Sequence, residues 1–174
     1  LPAHTDGDTF IYFVEADILH TGDTYMKNFY PFVDTGSGGT QAGFIAALTK
    51  ILEVTGPNTR YIPGHGELAT RADIEAALAM HKGARAAVET LVKAGKTLEE
   101  TIAAKPLAPF PSPSPPSRAR APARASRASP SSNASSRAMD RYPSLATTAR
   151  HVTSIFSAVR ASRRIAFATA SPSL

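Results

Sequence analysis

Residues 60–66 read Arg-Tyr-Ile-Pro-Gly-His-Gly, a short apolar segment followed by a turn that carries His65. Tyr61 and Ile62 favour a β-strand, and the Pro-Gly pair ends the apolar run. The glycines on both sides of His65 permit a sharp turn at this point. The stretch therefore predicts that one imidazole is presented at the end of a strand.

Amphipathic helices are predicted on both sides of this strand. Within residues 40–54 apolar side chains recur at helical spacing and stop before a Gly-Pro breaker. Residues 70–73 have the spacing of a capping box and precede a second apolar stripe that includes His81. A third, shorter helix is expected to begin at Thr97.

Two further strands are predicted near the beginning of the sequence. Residues 9–14 are aromatic and β-branched, and a turn at residues 15–17 leads into the apolar run 18–20. These two runs are expected to pair with each other. Because strands and helices alternate along the sequence, the fold class is α/β or α+β.

Two more side chains able to bind metal lie close to these strands. His4 stands in the run His-Thr-Asp-Gly-Asp, and Asp23 stands in the run His-Thr-Gly-Asp-Thr. Zinc hydrolases use imidazole nitrogens and carboxylate oxygens that converge from separate segments. His4, Asp23 and His65 are therefore candidate metal ligands, expected to reach a common point at one edge of the sheet. The alternative is that each histidine is an ordinary surface or supporting residue.

Asp8 and His20 are candidates for supporting a ligand. Asp6 and Asp8 flank Gly7 and are expected to shape the turn that presents His4. The alternative for Asp8 is that it accepts a hydrogen bond from a ligand imidazole. His20 precedes Asp23 in the apolar run, where it is expected to belong to the core or to orient a ligand. The glycine-rich residues 36–39 lack the Lys-Ser/Thr ending of a phosphate-binding loop and are interpreted as a loop and helix start.

The order of the three motifs resembles the C-terminal half of the metallo-β-lactamase superfamily, which comprises binuclear metal hydrolases with an αββα sandwich fold. The resemblance covers residues 1–106 and implies half of such a sandwich. It also implies two zinc ions, with His4 on the first, His65 on the second and Asp23 bridging both. The family's His-x-His-x-Asp-His run, which supplies four further ligands, is absent from the 174 residues.

The activity implied by the resemblance is metal-dependent hydrolysis of an ester, thioester, amide or lactam bond in a small-molecule substrate. The sequence has no cysteine, which excludes a thiolate ligand and makes lactam hydrolysis the less favoured case. Because three ligands are divided between two sites, the chain as written is expected to be inactive and to bind zinc weakly. The alternative is a non-catalytic remnant.

Residues 107–174 form a segment of different composition, rich in Ser, Pro, Ala and Arg. Residues 1–110 hold 9 Lys and Arg against 13 Asp and Glu, whereas the remainder holds 10 Arg against the single Asp140. Such a composition is typical of disorder, expected for residues 111–145. The abrupt change is also typical of a shifted reading frame or an artificial join. A weak helical pattern returns at residues 152–159, which a chance run explains equally well.

The arginines of this segment suggest a third function, the binding of nucleic acid or another anionic surface. This alternative is disfavoured because no aromatic residues are interleaved as a stacking platform. No apolar run approaches the roughly 18 residues of a membrane span. No targeting signal is visible, so bacterial periplasm and cytoplasm are both compatible with the sequence.

Half of a sandwich would leave one face of its sheet uncovered. The alternation of residues 10–13 places Phe10 and Tyr12 on one face of the first strand and Ile11 and Phe13 on the other. Whichever pair lacks a partner is expected to favour self-association.

Overall fold

A computed structural model describes residues 1–110 and 151–161. Within these residues, one mixed sheet has the strand order β1-β2-β3, with β1 at Ile11–Phe13, β2 at Ile18–Met26 and β3 at Arg60–His65. The helices are α1 (Gln41–Val54), α2 (Arg71–Lys93), α3 (Leu98–Ala103) and α4 (residues 151–161). The predicted α/β class is confirmed. No helix in these two ranges has the length and apolar character needed to cross a membrane.

The sheet combines an antiparallel and a parallel strand pair. β1 and β2 are antiparallel, with Ile11 opposite His20 and Phe13 opposite Ile18, so the predicted pairing is confirmed. β2 and β3 are parallel, and α1 connects them. The segment from β2 to β3 is therefore a β-α-β unit.

β2 is longer than the sequence predicts, which changes the position of Asp23. The strand continues past His20 to Met26, so Asp23 lies within the strand rather than after it. Its pairing with β3 shifts register on both sides of Gly22, whose φ is 54°. Glycine adopts this left-handed conformation at little cost, so the strand is interrupted there and then resumes pairing. The apolar pattern of the sequence gives no sign of this continuation.

The helices begin where their capping residues predict. Thr40 precedes α1 and its hydroxyl accepts a hydrogen bond from the amide of Gly43 at 2.9 Å. Thr70 precedes α2 and its amide donates to the carboxylate of Asp73 at 2.8 Å. Thr97 caps α3 in the same manner. These side chains satisfy amides that would otherwise lack a partner at a helix start.

One face of the sheet packs against α1 and α2. Leu19 of β2 and Tyr61 of β3 are fully buried there against Leu48 and Ile51 of α1 and Ile74 of α2. Burial of these large apolar side chains is the main favourable contribution to folding in this part of the chain.

The opposite face of the sheet is open at β1. Phe10 and Tyr12 pack against the buried cluster, whereas Ile11 and Phe13 are 55% and 53% exposed. The sequence left open which face of β1 lacks a partner. The structure shows that it is the face that carries Ile11 and Phe13. Self-association through this face stays a prediction.

A second apolar cluster lies between α2 and α4. Val88 and Val92 of α2 contact Ile155 and Phe156 of α4, and Leu107 belongs to the same cluster. The apolar pattern at residues 152–159 thus forms a packed helix, and the packed part of the chain extends past the predicted boundary at residue 106. The expectation of disorder over residues 111–145 falls outside the described residues, as do the arginines of this segment other than Arg160.

Two buried histidines lie where α2 and α4 meet. The ring of His81 stacks on Phe44 at 5.0 Å with the planes 13° apart, and its backbone carbonyl accepts a hydrogen bond from Gln41 at 2.7 Å. His151 packs edge-on against Tyr30 at 5.4 Å. Burial, and then the nearby His151, lower the pKa of His81 to about 3, and burial lowers the pKa of His151 to about 4. Both imidazoles are therefore neutral at pH 7.

Replacement of Ile155 by alanine tests whether α4 is part of the packed structure. Ile155 is 1% exposed, so Ile155→Ala is expected to lower the free energy of unfolding by about 2–5 kcal/mol. Ser157→Ala, at an exposed position of the same helix, should change it by less than about 0.5 kcal/mol. Urea denaturation followed by circular dichroism measures both values. Equal stability of the two variants would show that α4 does not pack on α2.

Acid is expected to destabilise the protein through His81 and His151. Both pKa values are lowered from 6.5, so the unfolded chain binds more protons than the folded one as the pH falls below that value. The free energy of unfolding should therefore decrease from pH 6.5 towards pH 4. His81→Gln should reduce this pH dependence, and Lys82→Gln, at the exposed neighbouring position of α2, should not. Urea denaturation at a series of pH values measures the slopes, and identical slopes in all three proteins would contradict the assignment.

Candidate metal site

Asp23 lies between the imidazoles of His4 and His65. Nε2 of His4 is 3.7 Å from one carboxylate oxygen of Asp23, and Nε2 of His65 is 3.5 Å from the other. The structure thus brings together the three residues that the sequence singled out, from the segment before β1, from β2 and from the end of β3. Their role as metal ligands stays a prediction.

The three side chains do not surround one point, which differs from the expectation of a common meeting place. Each imidazole faces its own oxygen of Asp23. Within residues 1–110 and 151–161, no group of three or more His, Cys, Asp or Glu is arranged to hold a single metal ion. The arrangement is two His-carboxylate pairs that share Asp23.

Asp8 holds the backbone around His4. Its carboxylate accepts hydrogen bonds from the amides of residues 3–5 at 2.5–3.2 Å and from the Thr5 hydroxyl at 3.0 Å. The hydrogen bonds of the Asp8 carboxylate are all to these groups, so Asp8 shapes the turn that presents His4, the first of its two expected roles, and none of them is to an imidazole. The short spacing favours this role, because a carboxylate four residues after His4 closes a local turn more readily than it reaches the ring.

The ring of His4 is oriented by a backbone carbonyl. Its Nδ1 lies 2.8 Å from the carbonyl oxygen of Phe32. A carbonyl oxygen only accepts hydrogen bonds, so Nδ1 carries the hydrogen. In the neutral ring, Nε2 is then an unprotonated nitrogen whose lone pair is directed towards Asp23.

This tautomer of His4 has an electrostatic consequence for its contact with Asp23. The Nε2 lone pair of neutral His4 and a carboxylate oxygen of Asp23 are both acceptors, and they face each other at 3.7 Å. Two acceptors repel unless a cation, either a proton or a metal ion, lies between or beside them. Nitrogen and carboxylate donors of this kind match the ligand preferences of zinc. The donor chemistry therefore fits a metal, although the number of donors is small.

Two glycines allow the backbone to approach the site closely. A Cβ atom on Gly64 of β3 would lie 2.0 Å from a carboxylate oxygen of Asp23, and one on Gly39 would lie 2.0 Å from the carbonyl oxygen of His4. Neither distance is sterically tolerable. The glycine-rich residues 36–39, interpreted from sequence as a loop and helix start, thus also make room for the segment that carries His4.

His20 acts on the backbone next to Asp23. Its Nδ1 accepts a hydrogen bond from the amide of Gly22 at 3.0 Å, and the side chain is half-buried. It makes no hydrogen bond to the three candidate ligands. His20 therefore stabilises the irregular part of β2 that presents Asp23.

The sequence did not indicate the residues that support the site from the segment following Asp23. The carbonyl of Phe32 orients His4, and the amide of Lys27 donates to the carbonyl of His65 at 2.9 Å. The ring of Phe29 meets the ring of His65 edge-on at 6.3 Å. Two of these contacts use backbone groups, which every residue type possesses, so no sequence signal marks them.

Comparisons with protein-family models and with curated proteins found no match for this sequence. The resemblance to metallo-β-lactamases therefore depends on the three motifs and on the geometry around Asp23.

Replacement of Gly64 by alanine tests the close approach of β3 to Asp23. The added Cβ would overlap the carboxylate, so Gly64→Ala is expected to lower the free energy of unfolding by about 1–3 kcal/mol. Gly56→Ala is the matched control, because its Cβ would meet no atom closer than 3.8 Å. Urea denaturation measures both variants. A Gly64→Ala protein as stable as the Gly56→Ala protein would contradict the described packing.

Proposed function

We propose that this chain carries part of the metal site of a hydrolase of the metallo-β-lactamase superfamily, and that it corresponds to the C-terminal half of that fold. The observation that supports this most directly is the position of Asp23, with one carboxylate oxygen facing each of two imidazoles. A carboxylate can bridge two metal ions by giving one oxygen to each, and here each oxygen has a histidine of its own.

Each residue of the proposed site has its own role. His4 with one oxygen of Asp23 would hold the first zinc ion, and His65 with the other oxygen would hold the second. Zinc bound there supplies Lewis acidity and a lowered pKa of water, which suits attack on an ester, thioester, amide or lactam carbonyl. The carbonyl of Phe32 accepts from Nδ1 of His4 and so leaves Nε2 as the nitrogen that faces Asp23. The charge of Asp23 offsets part of the charge of the two cations.

The ligand count limits what these residues do by themselves. Catalytic zinc sites have three protein ligands and a water, whereas the described residues offer each ion one imidazole and a share of one carboxylate. We therefore propose that the 174 residues bind zinc weakly and do not turn over substrate. Further donors are needed to complete both sites. A non-catalytic remnant with this geometry is the competing interpretation, and the activity of a protein with the missing ligands restored separates the two.

Zinc titration tests the proposed ligands. Isothermal titration calorimetry with zinc chloride at neutral pH should detect weak binding, and Asp23→Asn should reduce the affinity by roughly tenfold or more because the shared ligand loses its charge. Asp6→Asn is the matched control, since it removes the same charge from an exposed position near His4. Unchanged affinity in Asp23→Asn, or equal losses in both variants, would refute the site.

Activity is expected only after the missing ligands are supplied. A protein in which an N-terminal half bearing His-x-His-x-Asp-His is joined to this chain should hold two zinc ions and hydrolyse at least one member of an ester, thioester and lactam panel. In that protein Asp23→Asn should lower the rate roughly a hundredfold. Elemental analysis and the hydrolysis assay are the measurements. A joined protein that binds two zinc ions but hydrolyses none of the panel would overturn the proposed activity and establish the remnant interpretation.

A further inference from the structure

A cleft of about 500 Å³ lies beside the candidate metal site. One wall is the segment of residues 24–31, the opposite wall is the first half of α2, and Pro109 and Phe110 contribute one end. The volume lies within the range of roughly 300–1,000 Å³ found for pockets that bind small molecules.

The cleft and the candidate metal site are built on the same segment. Residues 24–31 begin directly after Asp23 and end before Phe32, whose carbonyl orients His4. Within this wall, Phe29 lines the cleft and also contacts the ring of His65. A molecule in the cleft would therefore touch the segment that carries Asp23 at one end and supports His4 at the other.

The lining of the cleft is mainly aromatic and aliphatic. Tyr25, Phe29 and Phe110 contribute aromatic rings, and Met80 and several alanines of α2 contribute aliphatic surface. Such surfaces bind apolar groups by removing them from water.

The charged groups in the lining are already compensated. Nζ of Lys27 lies 3.1 Å from the carboxylate of Asp73 and donates to the carbonyl of Leu68 at 2.9 Å. His81 also contributes to the lining, and burial keeps it neutral by lowering its pKa to about 3. Among the described residues that line the cleft, no cation is available to pair with an anionic ligand.

We propose that this cleft binds an uncharged aromatic or aliphatic group of the substrate and so places the hydrolysable bond of that substrate at His4, Asp23 and His65. The inference rests on the proposed function and specifies its substrate class. Substrates with a carboxylate or phosphate on the group that enters the cleft are excluded, because that charge would be desolvated without a partner.

Methyl NMR of methionine tests the cleft without any hydrolysis. Met26 and Met80 both line it, so the protein is labelled with [¹³C-methyl]methionine and titrated without metal. The probe is 1-naphthylmethanol, which is neutral, and the matched probe is 1-naphthoate, which has the same ring and a negative charge. The chain has a third methionine, Met139, so the signals of Met26 and Met80 are identified with Met26→Leu and Met80→Leu. We expect saturable shifts of both signals with 1-naphthylmethanol and binding of 1-naphthoate at least tenfold weaker.

A variant that fills the cleft provides a second test of the proposal. Ala76 is an exposed residue of α2 that lines the cleft, so Ala76→Phe adds a large side chain there without entering the core. Ala86→Phe adds the same side chain to an exposed position of α2 that is not part of the lining. Binding of 1-naphthylmethanol should weaken at least tenfold in Ala76→Phe and less than twofold in Ala86→Phe.

The outcomes separate this inference from the proposed function. Absent shifts, equal binding of the two probes, or equal effects of the two phenylalanine variants would overturn the inference even if zinc binds through Asp23. Binding of 1-naphthylmethanol by a protein whose zinc affinity does not depend on Asp23 would overturn the proposed function and, with it, the assignment of the cleft to a substrate group.

Discussion

The close approach of β3 to β2 at Asp23 is the constraint on which the rest of the structure depends. The parallel pairing of these strands brings His65 to the carboxylate, and the absence of a side chain on Gly64 allows the two backbones to meet there. The segment that leaves β2 then returns to orient His4 through the carbonyl of Phe32. A change in the register of β2 and β3 would move His65 away from Asp23.

Features encoded by local interactions were predictable from the sequence, and features encoded by distant backbone contacts were not. The helix starts at Thr40, Thr70 and Thr97 follow from capping side chains within three residues of the amides they serve. The extension of β2 through Asp23 depends on pairing with β3, about 40 residues away, and on an interruption at Gly22. No short window of sequence contains that information.

The residues of the candidate site could be identified from their side-chain types. Their geometry could not, because it depends on backbone groups and on packing between distant segments. His4, Asp23 and His65 stand out because imidazole and carboxylate are recognisable zinc donors. The arrangement of these candidate ligands as two pairs around one carboxylate depends on how the segments pack. The shared carboxylate explains why the three residues belong together although they do not enclose one ion.

The packing of α4 on α2 has a consequence for the order in which the chain acquires its structure during synthesis. Val88 and Val92 of α2 leave the ribosome long before Ile155 and Phe156, the side chains that cover them. Contacts across such a separation close late, because the ends of a long stretch of chain must first be brought together. Until then the nascent chain presents the apolar stripe of α2 to water, where chaperones that hold unfolded chains would bind it in competition with folding.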